Sequence, residues 1–361
     1  MHANMEKREL DALVEILSKK EHVPEEVWNL LLAAPSASDR DYLAMRARET
    51  AQACFGKGVY VRALIEISSY CRNNCRYCGL RCSNSDARRY RLSKNEIVEC
   101  CRKGAALGFN TFVLQGGEDP VQNDAWLADA VAAIKAEFPE KAVTLSVGER
   151  SPEGYALLRS AGADRYLLRH ETADEEHYSY LHPSSMSAAG RQQCLYELKR
   201  LGYQAGAGMM VGSPGQEMRH LVADLMFLDS LKPQMIGIGP FIPAKGTPFA
   251  GEKSGNVEQV LYLISLLRLR FRSALIPATT ALATLCSDGT ERAVLAGANV
   301  VMPNLTPLEA RDKYTIYDNK KSSGSESAEQ LSLLEEKLSG IGYHIDYGRG
   351  DYNGFEKLRY V

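Results

Sequence analysis

The chain lacks any apolar run of about 18 residues, the length from which a membrane-crossing helix is built, so no span across a bilayer is expected. It also lacks a surplus of basic charge. Its 43 Lys and Arg face 45 Asp and Glu, giving a net charge of −2 and a pI near 6.4, without the basic footprint that nucleic-acid binding requires. Cysteine is not arranged for secretion: the nine residues are scattered and odd in number. The opening MHANMEKREL holds no apolar signal-peptide core. A disulfide framework therefore fits poorly, and a reduced, cytoplasmic protein is expected. Only one Cys-x2-Cys pair occurs, whereas structural zinc sites are commonly made from two such half-sites.

What the chain does have is Cys71, Cys75 and Cys78, spelled CRNNCRYC, directly after the strand-like run Ala63 to Ile67. Three thiolates on one short loop hold three corners of a 4Fe–4S cube, and because a closed electron-transfer cluster takes four protein ligands, the fourth iron is left open. An open iron invites a substrate. The motif resembles that of the radical S-adenosylmethionine superfamily. The resemblance implies that the methionyl amino and carboxylate groups of S-adenosylmethionine chelate that iron, and that the reduced cluster then frees a 5′-deoxyadenosyl radical. It also places Tyr77, immediately before the third cysteine, against the adenine. Cys54, Cys82, Cys100, Cys101, Cys194 and Cys286 share no ligand spacing and read as free thiols. Cys82 alone is close enough in sequence to lie beside the cube.

At 361 residues and 45% apolar, the chain suits one large α/β barrel or two modest domains. Eight short buried strands are read at Ala63–Ser68, Thr111–Gln115, Val143–Val147, Tyr166–Arg169, Ala205–Val211, Met235–Gly239, Ile276–Ala281 and Val300–Pro303. Helical patterns fill the gaps, at Ser93–Leu107, Asp124–Phe138, Pro152–Ala161, Ala188–Leu201, Glu217–Leu231, Val257–Phe271 and Gly289–Ala296. Several open on a Ser or Asp cap, and LGF, AGAD, LGY and AGAN look like glycine C-caps feeding the next strand. The alternation predicts a complete (β/α)8 barrel over residues 61–318. Residues 1–60, with helical patterns at Leu10–Ser18 and Val27–Leu32, read as an N-terminal helical extension covering the barrel's bottom or side. Residues 319–361 form a C-terminal extension: NKKSSGSES is a polar loop without core-forming power, Ala328–Leu338 has helix spacing, and the Arg349–Asp351 RGD reads as accidental.

In such a barrel, chemistry belongs at the C-terminal strand ends. There the second strand runs into Gln115-Gly116-Gly117-Glu118, where paired glycines let backbone approach a ligand. In the superfamily a similar stretch receives the methionyl amino group. Thr144 and Ser146 alternate on one side of the third strand. The fourth ends in Arg169-His170-Glu171-Thr172, charges that a core does not explain. A carboxylate suits ribose hydroxyls, and the planar fork of an Arg suits a methionyl carboxylate, with Arg191 a second candidate. Thr279 and Thr280 sit where a buried strand would prefer Val or Ile, able to hold an anion but also compatible with plain β propensity. The IGPFIP turn at Ile238–Pro243 either stacks on adenine or is a stiff loop.

In order, SSYCRNNCRYCGLR, VLQGGEDP, TLSVGE, RYLLRHETA, GAGMMVGSPGQ, GIGPFIP, IPATTA and NVVMPNLTP resemble the HydE family, the radical SAM maturases of FeFe-hydrogenase. The resemblance covers residues from about 30 to 320. It implies that Tyr77, Gln115, Ser146, Glu171, Arg191, Met235 and Ile242 contact S-adenosylmethionine, and that Thr144, Arg169, Thr279, Thr280, Tyr314 and Tyr317 line the inner cavity for the other substrate. That substrate would be an iron–carbonyl–cyanide–cysteine precursor, and the partners other hydrogenase maturases and an electron donor. Many family members carry three further cysteines for an accessory cluster. Here none follows Cys286, so a single cluster is expected. Methylornithine synthase is the nearest enzymatic alternative. Biotin synthase, which normally has ligands for a second cluster, fits less well. A non-catalytic iron–sulfur carrier is the alternative of another class.

Overall fold

The computed structural model describes residues 6–33 and 35–352. After β1 (Gly58–Val61), the strands β2 (Ala63–Ser68), β3 (Thr111–Gly116), β4 (Ala142–Ser146), β5 (Arg165–Leu167) and β6 (Gln204–Ala207) pair in parallel in chain order. A short β7 (Met210–Val211) continues past β6. β8 (Met235–Ile236) then pairs with β6, and β9 (Gly239–Pro240) with β7. Parallel bridges carry the pairing onward from Met235 to Leu275 and from Pro277 to Val300, which opens β10 (Val300–Val301), and from Asn304 back to Leu64. Hydrogen bonds Arg62 N→Val301 O at 3.0 Å and Leu64 N→Pro303 O at 2.9 Å support that last junction. The barrel thus closes on β2. β2 to β4 are largely buried on both faces and mostly apolar, with polar residues such as Glu66, Gln115 and Ser146 towards their C-terminal ends, as suits parallel strands between an interior and a helical shell.

The expected caps form. Ser93 and Glu96 cap each other's backbone N–H, and Asn123, Ser151, Ser187 and Asn256 accept from the first turns of their helices. The glycines of LGF, AGAD, LGY and AGAN all take positive φ, where a side chain would be strained. The seventh strand differs from expectation. Only the stretch around Leu275 to Pro277 pairs, and a helix runs over Thr280–Leu285. Pro277 has no N–H for the ladder, and ALATL favours helix over strand. The Ala205–Val211 run is interrupted at Gly208, where an added Cβ would lie 1.9 Å from Gly237 O.

N-terminal helices Lys7–Lys19, Glu25–Leu32 and Ala37–Phe55 flank the barrel; the third was not expected. Its buried face is Leu43, Ala47 and Ala51, too small to give a strong apolar period. These helices help cover Val257–Arg270, which is buried along most of its length: Tyr262 donates to Leu31 O, and Arg270 to Lys20 O and Glu21 O. At the other end, helix Leu331–Gly340 leads to β11 (His344–Asp346), which pairs with β1.

The RGD triplet is not a surface accident. Its segment fills the bottom of the barrel, where Arg349 O accepts from Thr111 Oγ1 and Arg165 Nη2 at 2.9 and 2.8 Å. Asp351 Oδ1 accepts from Arg165 Nη2 and Gln204 Nε2, both at 2.7 Å, and Gly350 O accepts from Arg62 Nη2 at 3.2 Å. The end of the C-terminal extension, 353–361, lies outside the described residues.

Candidate functional site

The cysteine loop leaves β2 at Ser68 and returns at Arg91, which bridges back to Ser68. Its neck is sewn by Ser69 N→Tyr90 O at 3.1 Å and Leu92 N→Ile67 O at 2.8 Å. Asp119, 2% exposed, holds Ser68 Oγ at 2.6 Å and the Arg91 fork at 2.6 and 2.9 Å. Within the loop, the Arg89 guanidinium donates to Leu80 O and Arg81 O, and Asn84 Nδ2 to Gly79 O. Neither brace was read from sequence; the arginine-rich ARRYR just after the cysteines was the available signal. Two glycines permit close approach. A Cβ on Gly117 would sit 2.6 Å from Cys71 Cβ, and one on Gly79 would sit 2.0 Å from Thr315 O. The Gly-Gly turn after β3 and the segment around Thr315 therefore clasp the loop from two sides.

Cys71, Cys75 and Cys78 line one cavity of about 260 Å³ at the C-terminal end of the barrel. Burial pushes all three thiols up, Cys78 to about 12, so a metal that binds them must displace protons. Among the described residues no three His, Cys, Asp or Glu converge on one ion position. A cube asks for something else, since each thiolate meets its own iron. Cys82 is exposed and absent from the cavity wall.

Tyr77, Gln115, Gly116, Gly117 and Glu118 lie on the same wall. So do Ser146, Glu171, Arg191 and Ile242. Met235 is not brought there: it packs in an inner layer with Leu275 and Val300, its Sδ 3.2 Å from Arg62 Nη1. Met210, which sequence reading passed over, stands on the wall instead. Glu118 is already engaged, Oε2 accepting from Arg72 Nε and Oε1 from Glu149 N, each at 2.9 Å. Arg191 is 8% exposed and held by Glu149 Oε1 at 2.5 Å through Nε and by Arg169 O at 2.6 Å through Nη1. Tyr77 donates its hydroxyl to His182 Nε2 at 3.0 Å. That direction follows from the other ring nitrogen, because Nδ1 must donate to Tyr178 O, also 3.0 Å away. Burial lowers the His182 pKa to about 3, so the ring is neutral.

The charges of RHETA, which follows the end of β5, divide between two sides of the chain. His170 is fully buried behind it, 3.3 Å from Asp224 Oδ1, while Arg169 and Glu171 face the cavity. Arg169 Nη2 donates to Met209 O at 2.9 Å and leaves Nε without a partner. Glu171 Oε2 is 2.9 Å from Arg169 Nη2 but outside hydrogen-bonding geometry, and its backbone takes φ +65°, a strained setting typical of functional positions. Tyr314 and Tyr317 complete the wall. Thr144, Thr279 and Thr280 are off it. Thr144 Oγ1 and Thr279 Oγ1 are buried without partners.

A set of thiols beside a carboxylate and a guanidinium that keep unfilled polar atoms is chemically suited to a thiolate-bound cluster and a small zwitterionic cofactor. The comparisons agree. Residues 65–228 match the model of the Radical SAM superfamily, and the chain is a radical SAM enzyme. It is 45% identical over 309 residues to the [FeFe] hydrogenase maturase subunit HydE of Thermotoga maritima, covering 85% of this chain and 88% of that protein. It therefore belongs to the HydE family. It is also 30% identical over 319 residues to a 3-methylornithine synthase of Methanosarcina acetivorans, covering 87% and 89% of the two chains. The crystal structure of methylornithine synthase (PylB) superposes with a TM-score of 0.83 at 26% identity, over 95% of this chain and 99% of that one.

Proposed function

We propose that this protein matures FeFe-hydrogenase, carrying one 4Fe–4S cluster on Cys71, Cys75 and Cys78 and acting on a cysteine-bound iron–carbonyl–cyanide precursor of the diiron subcluster. The observation that carries the reading is the meeting, in one cavity, of the three thiols with Arg169 and Glu171 of RHETA, in a chain 45% identical to a maturase of that name. When bound, the cluster and S-adenosylmethionine supply a one-electron reductive cleavage that yields a 5′-deoxyadenosyl radical. The chain's own residues bind and orient. The Tyr77 ring packs on the adenine, fixed by His182. The Gly116–Gly117 backbone receives the methionyl amino group, with Gln115, Ser146, Met210 and Ile242 enclosing the rest. Glu171 takes the ribose hydroxyls. Arg191, two of its nitrogens fixed by the protein, offers the third to the methionyl carboxylate. Arg169, Thr144, Thr279, Thr280, Tyr314 and Tyr317 hold the second substrate further in, where two threonine hydroxyls have no protein partner.

The protein works in the cytoplasm with the other maturases and an electron donor. Hydrogenase maturation in a reconstituted system, with and without this protein, tests the reading; full activity on omission removes it. A methylornithine synthase activity is the second reading, favoured by the PylB superposition, and is tested by assaying the protein for methylornithine formation.

A further inference from the structure

Lys320 comes from the polar stretch expected to stay in solvent, yet its side chain is only 7% exposed. Its Nζ lies 2.5 Å from Oε1 of Glu66, whose side chain is fully buried. Glu66 stands on β2 in register with Gln115 of β3, which in turn pairs with Ser146 of β4, and both of those line the cavity. The pair is thus at the height of the cavity wall, although neither residue lines it. On its other side, Nζ is 5.4 Å from the centroid of the Tyr314 ring, another wall residue.

The pair is poorly made for structure alone. A lysine ammonium has three donors, and burying one against a carboxylate and an aromatic face alone costs more desolvation than the contacts return unless hydrogen bonds fill the rest. Neither Lys320 Nζ nor Glu66 Oε1 has a hydrogen-bond partner of acceptable geometry. The carboxylate has another holder, since Oε2 accepts from Asn304 Nδ2 at 3.0 Å. Burial pushes the Glu66 carboxyl above its ordinary value, against the pull of Lys320, Asn304 and Arg311.

We infer that Lys320, behind the cavity wall at Tyr314, is a binding residue for the second substrate, a fixed cation additional to Arg169, whose open N–H donors receive the carboxylate of a small amino-acid-like second substrate. Glu66 parks the ammonium until that group arrives. The inference rests on the inner cavity being the second-substrate site, and the experiment separates the two. Lys320→Met keeps length and removes charge, Lys320→Arg keeps charge, and Glu66→Gln frees the cation. Each variant and the double Glu66→Gln/Lys320→Met is titrated with L-cysteine, a carboxylate-bearing probe, by calorimetry on the loaded protein with S-adenosylmethionine present, and assayed for maturation at limiting precursor. Lys320→Met should weaken cysteine binding and slow maturation at least tenfold. Lys320→Arg should restore most of both, Glu66→Gln should bind the probe at least as well as wild type, and the double variant should stay as poor as Lys320→Met. Recovery of the double variant while both single variants fail would identify a structural pair and overturn the inference. So would loss of iron content and melting temperature in Lys320→Met, or a wild-type protein that matures hydrogenase but does not bind the probe. A wild-type protein that binds the probe through Lys320 but does not mature hydrogenase would refute the proposed function and leave this site standing.

Discussion

The two ends of the barrel bury the same kinds of polar group and treat them differently. At the bottom, the Arg165 guanidinium meets Gln204, Thr111, Arg349 O and Asp351, all from the chain itself; Arg62 Nε and Asn299 Nδ2 are exceptions there. At the top, Arg169 Nε, Glu171 Oε2 and Thr279 Oγ1 are buried without partners, and between the two ends Thr144 Oγ1, in register with Arg165, is another. Leaving a buried polar atom unpaired costs about 1–3 kcal/mol. The difference is that the unpaired atoms of Arg169 and Glu171 face a cavity, where a ligand can reach them. Change at the top should therefore cost function with the fold kept, and change at the bottom should cost stability with function kept.

The largest effect tests the top. Cys75→Ser should abolish the 4Fe–4S cluster of anaerobically prepared protein, whereas Cys54→Ser should leave it; iron content and the reduced electron paramagnetic resonance signal, with and without S-adenosylmethionine, read both. A cluster that survives Cys75→Ser would break the assignment of the loop. Next come the inner groups. Arg169→Ala, and the double variant Thr279→Val, Thr280→Val, should keep the cluster and abortive S-adenosylmethionine cleavage while maturation falls roughly tenfold or more, about 1.4 kcal/mol at the least. Valine nearly matches threonine in volume, so a loss there reports polar contacts rather than a void. Glu171→Ala should weaken S-adenosylmethionine binding by about 1–3 kcal/mol with iron content unchanged. Arg191→Ala should do so too, and also free Glu149, so calorimetry alongside a melting curve is needed to separate the two consequences.

How much of this was legible from sequence follows the same division. Buried parallel strands are continuous apolar runs, and charges that interrupt one, as Arg169 and Glu171 do, stand out against it. The bottom carried no such mark, because Arg349 and Asp351 come from a glycine-rich tail with no period and find Arg165 only through the barrel's closure. Met235 and Met210 show another limit. Each follows or ends an apolar run of similar composition, and only the three-dimensional register puts Met210 on the wall and Met235 in an inner layer. The threonine pair suggested a strand by its β propensity, but Pro277 ends the ladder and the chain turns into a helix at Thr280. Lys320 was hidden among polar neighbours whose composition says loop.

The bottom offers the next test. Burial raises the Asp351 carboxyl, but Arg165, Gln204 and Arg349 outweigh it and hold the pKa below its ordinary value. The group therefore contributes stability above its unfolded pKa of about 3.9, and that contribution is lost as pH falls through the lower folded value. Asp351 is 40% exposed, so solvent screens part of the interaction, and Asp351→Asn should lower stability by about 1–2 kcal/mol near neutral pH. Denaturant midpoints of wild type and variant should converge below about pH 4. Unchanged S-adenosylmethionine affinity in the variant sharpens the contrast between the ends; a cofactor-binding defect would blur it.

The smallest effect sits where the contrast is least sharp, at a top-end network that the protein has satisfied for itself. Tyr178 O fixes His182 Nδ1 as a donor, His182 Nε2 then accepts from Tyr77, and His182 also stacks on Tyr178 with ring centroids 3.8 Å apart. This chain of bonds fixes the angle of the Tyr77 ring, the ring proposed above to pack on the adenine. Tyr77→Phe keeps that ring and removes one hydrogen bond, so S-adenosylmethionine affinity should fall by only about 0.5–1.5 kcal/mol, roughly twofold to tenfold. Tyr77→Leu removes the stacking face as well and should cost more. His182→Ala should resemble Tyr77→Phe in affinity rather than Tyr77→Leu, because both lose orientation and keep the ring. If Tyr77→Phe and His182→Ala bind as wild type while Tyr77→Leu does not, packing alone holds the ring and the hydrogen-bonded relay has no part in it.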